Sequence, residues 1–246
     1  MKRAVIARGV LGAALMIVLW EATARGFHLP AYTLPAFSEI LLSVWDQRAS
    51  LLTAGRITAT ESLVGYTFGC LCGIGLAMLV IVLPWARRAV VPVLLAINSV
   101  PVAAFSPLVL LWFGIGPSSK VVMVALAVGF TMFLSALAGF DRVDRRSVDL
   151  LRSFGAGPVA VLWRLRLPTA LPMIAAGMRI STVRSLIVAI VTEMLGAQGG
   201  LGWVIYQAVV QIDFVQVWSA IFTASAISLT FFGLIGAAER RIIFWR

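Results

Sequence analysis

The hydrophobic positions of the chain fall into long runs that are separated by short polar stretches. A helix that crosses a membrane needs about 20 mostly apolar residues, and six stretches meet this requirement. They cover residues 8–24, 57–83, 89–112, 119–140, 171–195 and 217–238. An even number of crossings leaves both ends of the chain on one side of the membrane. The pattern therefore predicts an all-α membrane protein with about six spans.

Composition agrees with this prediction and narrows the partners. Hydrophobic residues make up 61% and charged residues 12% of the chain, whereas soluble domains are about 45–50% apolar. The mean hydropathy is +1.01. The net charge of +10 fits cations at the ends of membrane spans, where they contact anionic headgroups. It thus indicates membrane lipid as a partner and not nucleic acid. With 246 residues, several spans leave room for a single transmembrane domain over residues 1–246.

The distribution of lysine and arginine predicts the orientation. If the N-terminus is cytoplasmic, that side holds 14 cations: Lys2, Arg3, Arg8, Arg87, Arg88, Arg142, Arg145, Arg146, Arg152, Arg164, Arg166, Arg240, Arg241 and Arg246. The opposite side holds 4: Arg25, Arg48, Arg56 and Lys120. Because cytoplasmic loops carry the excess of lysine and arginine, both termini are expected in the cytoplasm.

The first 55 residues predict two helices. The N-terminus has the basic start of a signal peptide, but its apolar run ends at about Ala24 in charged residues and another span follows. We therefore expect a retained first helix. The later stretch FSEILLSVWDQR repeats its apolar residues at helical spacing. It predicts an amphipathic helix on the outer membrane interface, capped by Ser38.

Glycines in the second span indicate close helix packing. Gly65, Gly69 and Gly73 are four residues apart, a spacing that lets two helix backbones approach closely in lipid. The contact is expected inside one subunit, with a contact between subunits as the alternative.

The third span is irregular. It contains Pro92, Pro101 and Pro107, with Asn98 and Ser99 near its middle. A broken helix at membrane depth is tolerated only where it is buried in protein or lines a water-filled cavity. A transport path would explain it.

Charges in and beside the fifth span add further candidates. Arg184 lies roughly 20 Å along that span, so it should pair with an acid such as Glu193 or Asp213, or attract an anionic substrate. Arg179 is nearer the cytoplasm and is expected to steady the preceding loop. Glu193 borders the sequence AQGGLGW, which predicts a tight re-entrant turn or a plain loop. The path candidates are Asn98, Ser99, Pro101, Arg184 and Glu193. Glu21 and Glu61 either reach the interface or join the path.

Residues for catalysis are scarce. A phosphate-binding loop needs glycine followed by lysine and a hydroxyl residue, but neither of the two lysines, Lys2 and Lys120, follows a glycine. A single histidine, His28, gives no zinc cluster and no convincing Ser-His-Asp arrangement. An intramembrane enzyme would need paired carboxylates or histidines, and the acids are isolated along the sequence. We expect no enzyme activity, no cofactor and no metal.

The longest cytoplasmic stretch, residues 141–168, combines acids, arginines and helix breakers. From Ser147 the pattern VDLLRSFG predicts one short helix, Gly155 interrupts it, and Pro158 is suited to begin a second one. The pair would present an apolar knob with a basic rim; a solvated surface loop is the alternative.

This stretch resembles a known family. The run Asp149-Leu-Leu-Arg-Ser-Phe-Gly155, the following Leu167-Pro168 and the sequence GMRI at 177–180 resemble the EAA loop of inner-membrane permeases of bacterial ABC importers. Leu19-Trp20-Glu21, PLVLLWFGIGPSSK and TEMLGAQGGLGWVI are similar to the nitrate/sulfonate/taurine branch. Asp149 stands where the family usually has glutamate, and two leucines follow where it usually has alanines.

The resemblance implies a fold and partners. It implies a type I ABC importer transmembrane domain with a core at about 54–240 and a coupling loop at about 147–168, in which glycine turns the chain between two short helices. The implied coupling residues are Asp149, Phe154, Gly155, Leu162, Leu167 and Pro168. The implied partners are cytoplasmic ATPase subunits, an external substrate-binding protein and a second permease copy, in a bacterial inner membrane. The family's substrates include nitrate, sulfonates, taurine, bicarbonate and pyrimidine or other vitamin precursors.

A self-contained channel or secondary transporter is the alternative function. Such a protein needs no docking surface and usually shows internal repeats, which the sequence lacks.

Overall fold

The computed structural model describes residues 2–28 and 30–242, and the side chains of 7–28 and 30–241. Those residues form helices and no strand. The helices are α1 (Lys2–Gly26), α2 (Phe37–Asp46), α3 (Arg48–Val82), α4 (Pro84–Ser99), α5 (Ser106–Phe113), α6 (Pro117–Asp141), α7 (Arg145–Ser153), α8 (Pro158–Val161), α9 (Leu167–Gly196), α10 (Leu201–Val210) and α11 (Phe214–Ile242). A 3₁₀ turn (Val102–Phe105) precedes α5, and a π turn (Leu162–Arg166) joins α8 to α9.

The core is the packing of α6 between α3 and α9. A Cβ added to Gly65 would overlap Val124, and one added to Gly73 would overlap the backbone of Gly129. The contact points move towards the C-terminus on both helices, so α3 and α6 run parallel. The glycine spacing therefore serves helix packing inside one subunit, as predicted.

The third core helix, α9, runs in the opposite direction. Ser62 and Ser185 share a hydrogen bond of 2.9 Å, and the Tyr66 hydroxyl donates to the Met178 carbonyl at 3.2 Å. Buried apolar side chains fill the space between these helices. They include Val80, Val124, Val128, Met132, Phe133, Phe140, Ile174 and Ala189.

The parallel arrangement of α3 and α6 decides the number of spans. The C-terminal ends of α3 and α6 lie at the same end of the bundle. Residues 83–116 must therefore cross the whole bundle in the opposite direction before α6 begins. The chain makes this crossing as α4 and α5, which are bent by 88° at the break around Val100 and Pro101. With five unbroken spanning helices and this bent pair, the prediction of about six spans is confirmed, and so is the irregular third span.

The N-terminal helix is fastened at its C-terminal end. The Trp20 indole donates to the Pro35 carbonyl at 2.9 Å, and its ring packs edge-on against Trp218. Glu21 accepts hydrogen bonds from the Ser38 backbone N–H at 3.1 Å and hydroxyl at 2.8 Å. The prediction that Ser38 caps α2 is wrong, because Ala36 is the N-cap residue. The Glu21 carboxylate supplies the missing acceptor from another helix.

Candidate functional site

Residues 142–166, which we call the connecting segment, link α6 to α9 at one end of the bundle. Their first helix begins earlier than predicted from Ser147. Asp144 is the N-cap, and its carboxylate accepts from the Arg146 backbone N–H at 3.3 Å. This arrangement satisfies one of the free donors at the start of α7.

The helix α7 ends in a turn that depends on Gly155. Its φ of +81° lies in the left-handed region that side chains disfavour. The Gly155 N–H donates to the Arg152 carbonyl at 2.9 Å, and the Ala156 N–H donates to the Leu151 carbonyl at 3.1 Å. These two bonds form a Schellman motif. The predicted glycine turn is confirmed, although a Cβ at Gly155 would meet open space in this chain.

The second helix is not a separate short element. It begins at Pro158, as predicted, but continues through the π turn into α9, so that residues 158–196 form one helical stretch. The π turn ends two residues before Pro168. Proline lacks a backbone donor and crowds the preceding turn, and a local π turn accommodates such a residue without breaking the helix.

The outer surface of the connecting segment is apolar and basic. Leu150, Phe154, Val159 and Trp163 are all more than half exposed, and Phe154 is 80% exposed. The same segment carries exposed arginines, namely Arg145, Arg146, Arg152 and Arg164. Leu162 was expected in this docking group, but it is 4% exposed and belongs to the core. Its predicted role as a contact for a partner is wrong.

The remaining predicted coupling residues also include both exposed and partly buried side chains. Asp149 and Pro168 are exposed on the segment and at the start of α9. Leu167 is half-buried and packs against the core. Leu162 and Leu167 therefore attach the segment to the bundle.

The predicted path residues of the third span lie at its bend. Asn98 borders a cavity of about 280 Å³, together with Phe105, Gly129 and Phe133 among others. The Ser99 hydroxyl donates to the Ala96 carbonyl at 2.6 Å. Pro101 precedes the 3₁₀ turn.

The arginines of α9 have other partners than predicted. Arg184 donates to the Thr131 hydroxyl at 3.1 Å, and within the described side chains it forms no ion pair. Its predicted pairing with Glu193 or Asp213 is therefore wrong. Arg179 forms an ion pair with Glu239 on α11 at 2.7 Å, so it joins α9 to α11 and does not steady the connecting segment.

A buried lysine closes the opposite end of the core. Lys120 was assigned to an external loop, but its side chain is 1% exposed. Its ammonium group donates to the carbonyls of Ile115 and Gly196 at 2.5 Å each and of Gly116 at 3.2 Å. The external tally of cations thus falls from four to three, which strengthens the charge asymmetry.

Glu193 lies in the same buried region. Its Oε2 atom accepts from the Gly202 N–H at 2.7 Å and the Thr58 hydroxyl at 3.0 Å, and Glu61 follows Thr58 by one turn on α3. Glu193 is fully buried, so it contacts no passing solute in this conformation and its predicted path role is not supported. The sequence suggested isolated acids, but Glu61 and Glu193 are buried in the same region of the fold.

The glycine-rich sequence after α9 forms a tight turn. Gly200 has φ +94°, and a Cβ there or at Gly202 would overlap Glu193. The Leu201 N–H donates to the Thr58 hydroxyl at 2.8 Å. The prediction of a tight turn holds over that of a plain loop. Sequence reasoning missed Thr58. It predicted that Glu61 reaches the interface or joins the path and that Lys120 lies in an external loop, whereas both are buried in the core.

Known proteins place this architecture in a family. Residues 65–244 match the family described as binding-protein-dependent transport system inner membrane component. The chain belongs to this family. The permease is 31% identical to the formylaminopyrimidine transport permease protein ThiX of Halalkalibacterium halodurans, over 94% of this chain and 93% of the relative. It is also 31% identical to the taurine transport system permease protein TauC of Escherichia coli, over 68% and 58%.

The fold also matches a solved transporter. In a bacterial alginate ABC transporter in complex with its alginate-bound periplasmic protein, one chain is similar with a TM-score of 0.65 and 17% identity, over 98% of the permease and 96% of that chain. The predicted type I ABC importer transmembrane fold is confirmed. The permease is a multi-pass membrane subunit of an ABC importer of the sulfonate/taurine branch.

Proposed function

We propose that separate ATP-binding subunits drive the permease by docking on the connecting segment. The observation that carries this proposal is Phe154, an aromatic side chain that is 80% exposed on a fixed glycine turn. Burying such a side chain contributes about 1.5–3 kcal/mol. Aromatic and arginine side chains are also the residues that most often dominate interfaces. The surrounding arginines add charge for a cytoplasmic partner.

The helix that follows the turn supplies the mechanical link. Residues 158–196 form one helical stretch, so a displacement at the connecting segment moves α9 and, through it, α3 and α6. Two permease copies with two ATP-binding subunits would bring their segments together when ATP closes the ATPase pair. The resulting rocking alternates access to a path between the copies, with an external binding protein as the donor of solute.

The proposed solute is small and polar or anionic. Arg184 is half-buried, and its partner, Thr131, is neutral. A cation inside a span without a carboxylate partner in the described structure is a candidate for attracting an anion. Asn98, Ser99 and Pro101 at the bend of the third span are proposed to line the same route. Formylaminopyrimidine and taurine, named for two relatives, have the expected size and polarity.

The proposed orientation places both termini and the connecting segment in the cytoplasm of a bacterium, with the permease in its inner membrane. The asymmetry of lysine and arginine supports it. Cysteines introduced at Arg146 and Gln207, in a background without the native cysteines, should be labelled by an impermeant thiol reagent only at Gln207 in intact cells. If only the cysteine at position 146 were labelled, the orientation would be the opposite of the one proposed.

Docking is tested by co-purification of the permease with the ATP-binding subunit of its own transport system. Phe154→Ala should reduce the bound subunit at least about tenfold, since it removes a central aromatic contact. Phe27→Ala is the matched control, because Phe27 is also strongly exposed but lies after α1, away from the connecting segment. Equal recovery with Phe154→Ala and wild type would refute the docking site.

A further inference from the structure

Three ionisable side chains from three different helices are buried at one end of the core. Glu61 on α3, Lys120 on α6 and Glu193 on α9 are 6%, 1% and 0% exposed, respectively. The transport mechanism proposed above uses none of them. Burying ionised groups costs several kcal/mol each unless charge and hydrogen bonds compensate for the loss of water, so their protonation must be accounted for.

Hydrogen bonds to one oxygen of Glu193 favour its ionised form. Its Oε2 atom accepts two hydrogen bonds, one from the Gly202 N–H and one from the Thr58 hydroxyl. Thr58 is oriented for this because its oxygen already accepts from the Leu201 N–H. Donors directed at a carboxylate stabilise the charged state.

The other side of Glu193 faces Glu61. Glu61 follows Thr58 by one turn on α3, so it lies on the helix face that contacts Glu193. Glu61 Oε2 and Glu193 Oε1 are both buried, and neither has a hydrogen-bond partner in the described part of the chain. Two carboxylate oxygens cannot bond without a hydrogen, and two like charges in contact cannot both remain ionised. One proton between them resolves both conflicts.

Lys120 completes the charge balance. Its ammonium group is held by three carbonyl oxygens, which supply hydrogen bonds but no negative charge. Its bond to the Gly196 carbonyl places it about one turn from Glu193 along α9. One ionised carboxylate and one protonated acid give the trio a net charge of zero, whereas two ionised carboxylates would leave an uncompensated negative charge in the core.

We propose that Glu61 and Glu193 form a proton-binding site that holds a single proton, carried by Glu61 and donated to Glu193. This bond fastens α3 to α9. Through Gly202 and Thr58 it also fixes the start of α10. The arrangement makes this end of the bundle a rigid unit, opposite the end that carries the connecting segment.

Infrared spectroscopy of the purified full-length permease in nanodiscs tests the site. Wild type at neutral pH should show the carbonyl band of a protonated carboxylic acid, and isotopic labelling of glutamate should shift it. Glu61→Gln and Glu193→Gln should each lose that band, because the remaining acid becomes the ionised partner of Lys120 and the glutamine amide supplies the donor. Glu39→Gln, at an exposed acid on α2, should keep it.

A thermal measurement on the same variants tests the charge balance. Each single variant retains one negative charge beside Lys120, but Glu61→Gln/Glu193→Gln leaves the buried ammonium without a counter-charge. Its melting temperature should fall by at least about 5 °C more than the sum of the single changes. A wild type without a glutamate-sensitive acid band would overturn the proposal, as would survival of the band in either single variant or additive melting temperatures.

Discussion

At Gly155 the backbone conformation matters more than the space around the residue. The φ of +81° is the one local feature that the Schellman turn requires, and a Cβ would meet no atom within 4 Å. Phe154, directly before it, is 80% exposed. A substitution at Gly155 therefore changes the direction of the turn and leaves the packing of the core intact.

Gly155→Ala should lower ATP hydrolysis by the complex several-fold, because a left-handed alanine costs roughly 1–2 kcal/mol and shifts the docking surface. Gly155→Asn should retain more activity, since asparagine tolerates this conformation better. Gly157→Ala is the matched control: Gly157 has φ −72° and equally open space, so it should behave as wild type. Equal activity for Gly155→Ala and Gly157→Ala would contradict the requirement for the turn.

Arg184 gives a second prediction at this scale. Arg184→Gln keeps a hydrogen-bond donor for Thr131 but removes the charge, so transport of an anionic solute should fall at least about tenfold while the melting temperature changes little. Arg184→Lys, which keeps the charge, should retain most of the transport. A large drop in melting temperature for Arg184→Gln, with transport lost in proportion, would mean that the arginine serves the fold and not the solute.

The sequence shows which charged residues lie within or beside the spans, but it does not show which side chains contact one another. Arg184 and Glu193 lie nine residues apart on α9, about 13.5 Å along the axis and on opposite faces of the helix. Helix geometry therefore excludes the pair that membrane depth suggested. In the structure their side chains contact different helices, with Thr131 on α6 beside the first and Thr58 on α3 beside the second. Contacts between helices depend on rotation and packing, which a single sequence does not specify.

The helices themselves could be predicted because apolar runs of this length have few alternatives. The predicted ends of the helices were less accurate than the prediction of the helices themselves. The second span is predicted at 57–83, but α3 begins at Arg48, because the helix continues through polar residues, Arg48 and Arg56 among them, that precede the apolar run. The continuation of α8 into α9 was not predicted either; Pro168 disfavours a continuous helix, and the π turn before it accommodates the proline.

The parallel contact between α3 and α6 yields a prediction about these elements. Gly73→Ala should lower the free energy of unfolding by roughly 1–3 kcal/mol, because its methyl group would overlap the Gly129 carbonyl and Met132. Gly75→Ala is the control on the same helix. It meets no atom within 4 Å and should be neutral or slightly stabilising, since alanine favours a helix. Thermal unfolding of the purified permease measures both, and equal stability would contradict the close approach.

Over the whole molecule, the two ends of the bundle are built differently. One end is closed by buried charges from α3, α6 and α9, together with the turn before α10. The other end carries the connecting segment, with its exposed aromatic side chains and its direct helical link to α9. In the proposed mechanism the ATP-binding subunits act on the second end, while the buried charges hold the first end together. Neither the buried charges nor the helical link was evident from the sequence.

The most direct test is solute uptake into proteoliposomes that contain the permease, the ATP-binding subunits of its own transport system and the matching substrate-binding protein. Uptake should require ATP on the side of the ATP-binding subunits and the binding protein on the opposite side. Phe154→Ala should abolish it, while Phe27→Ala should not. Uptake by the permease alone, driven by a solute or ion gradient without ATP, would contradict the account.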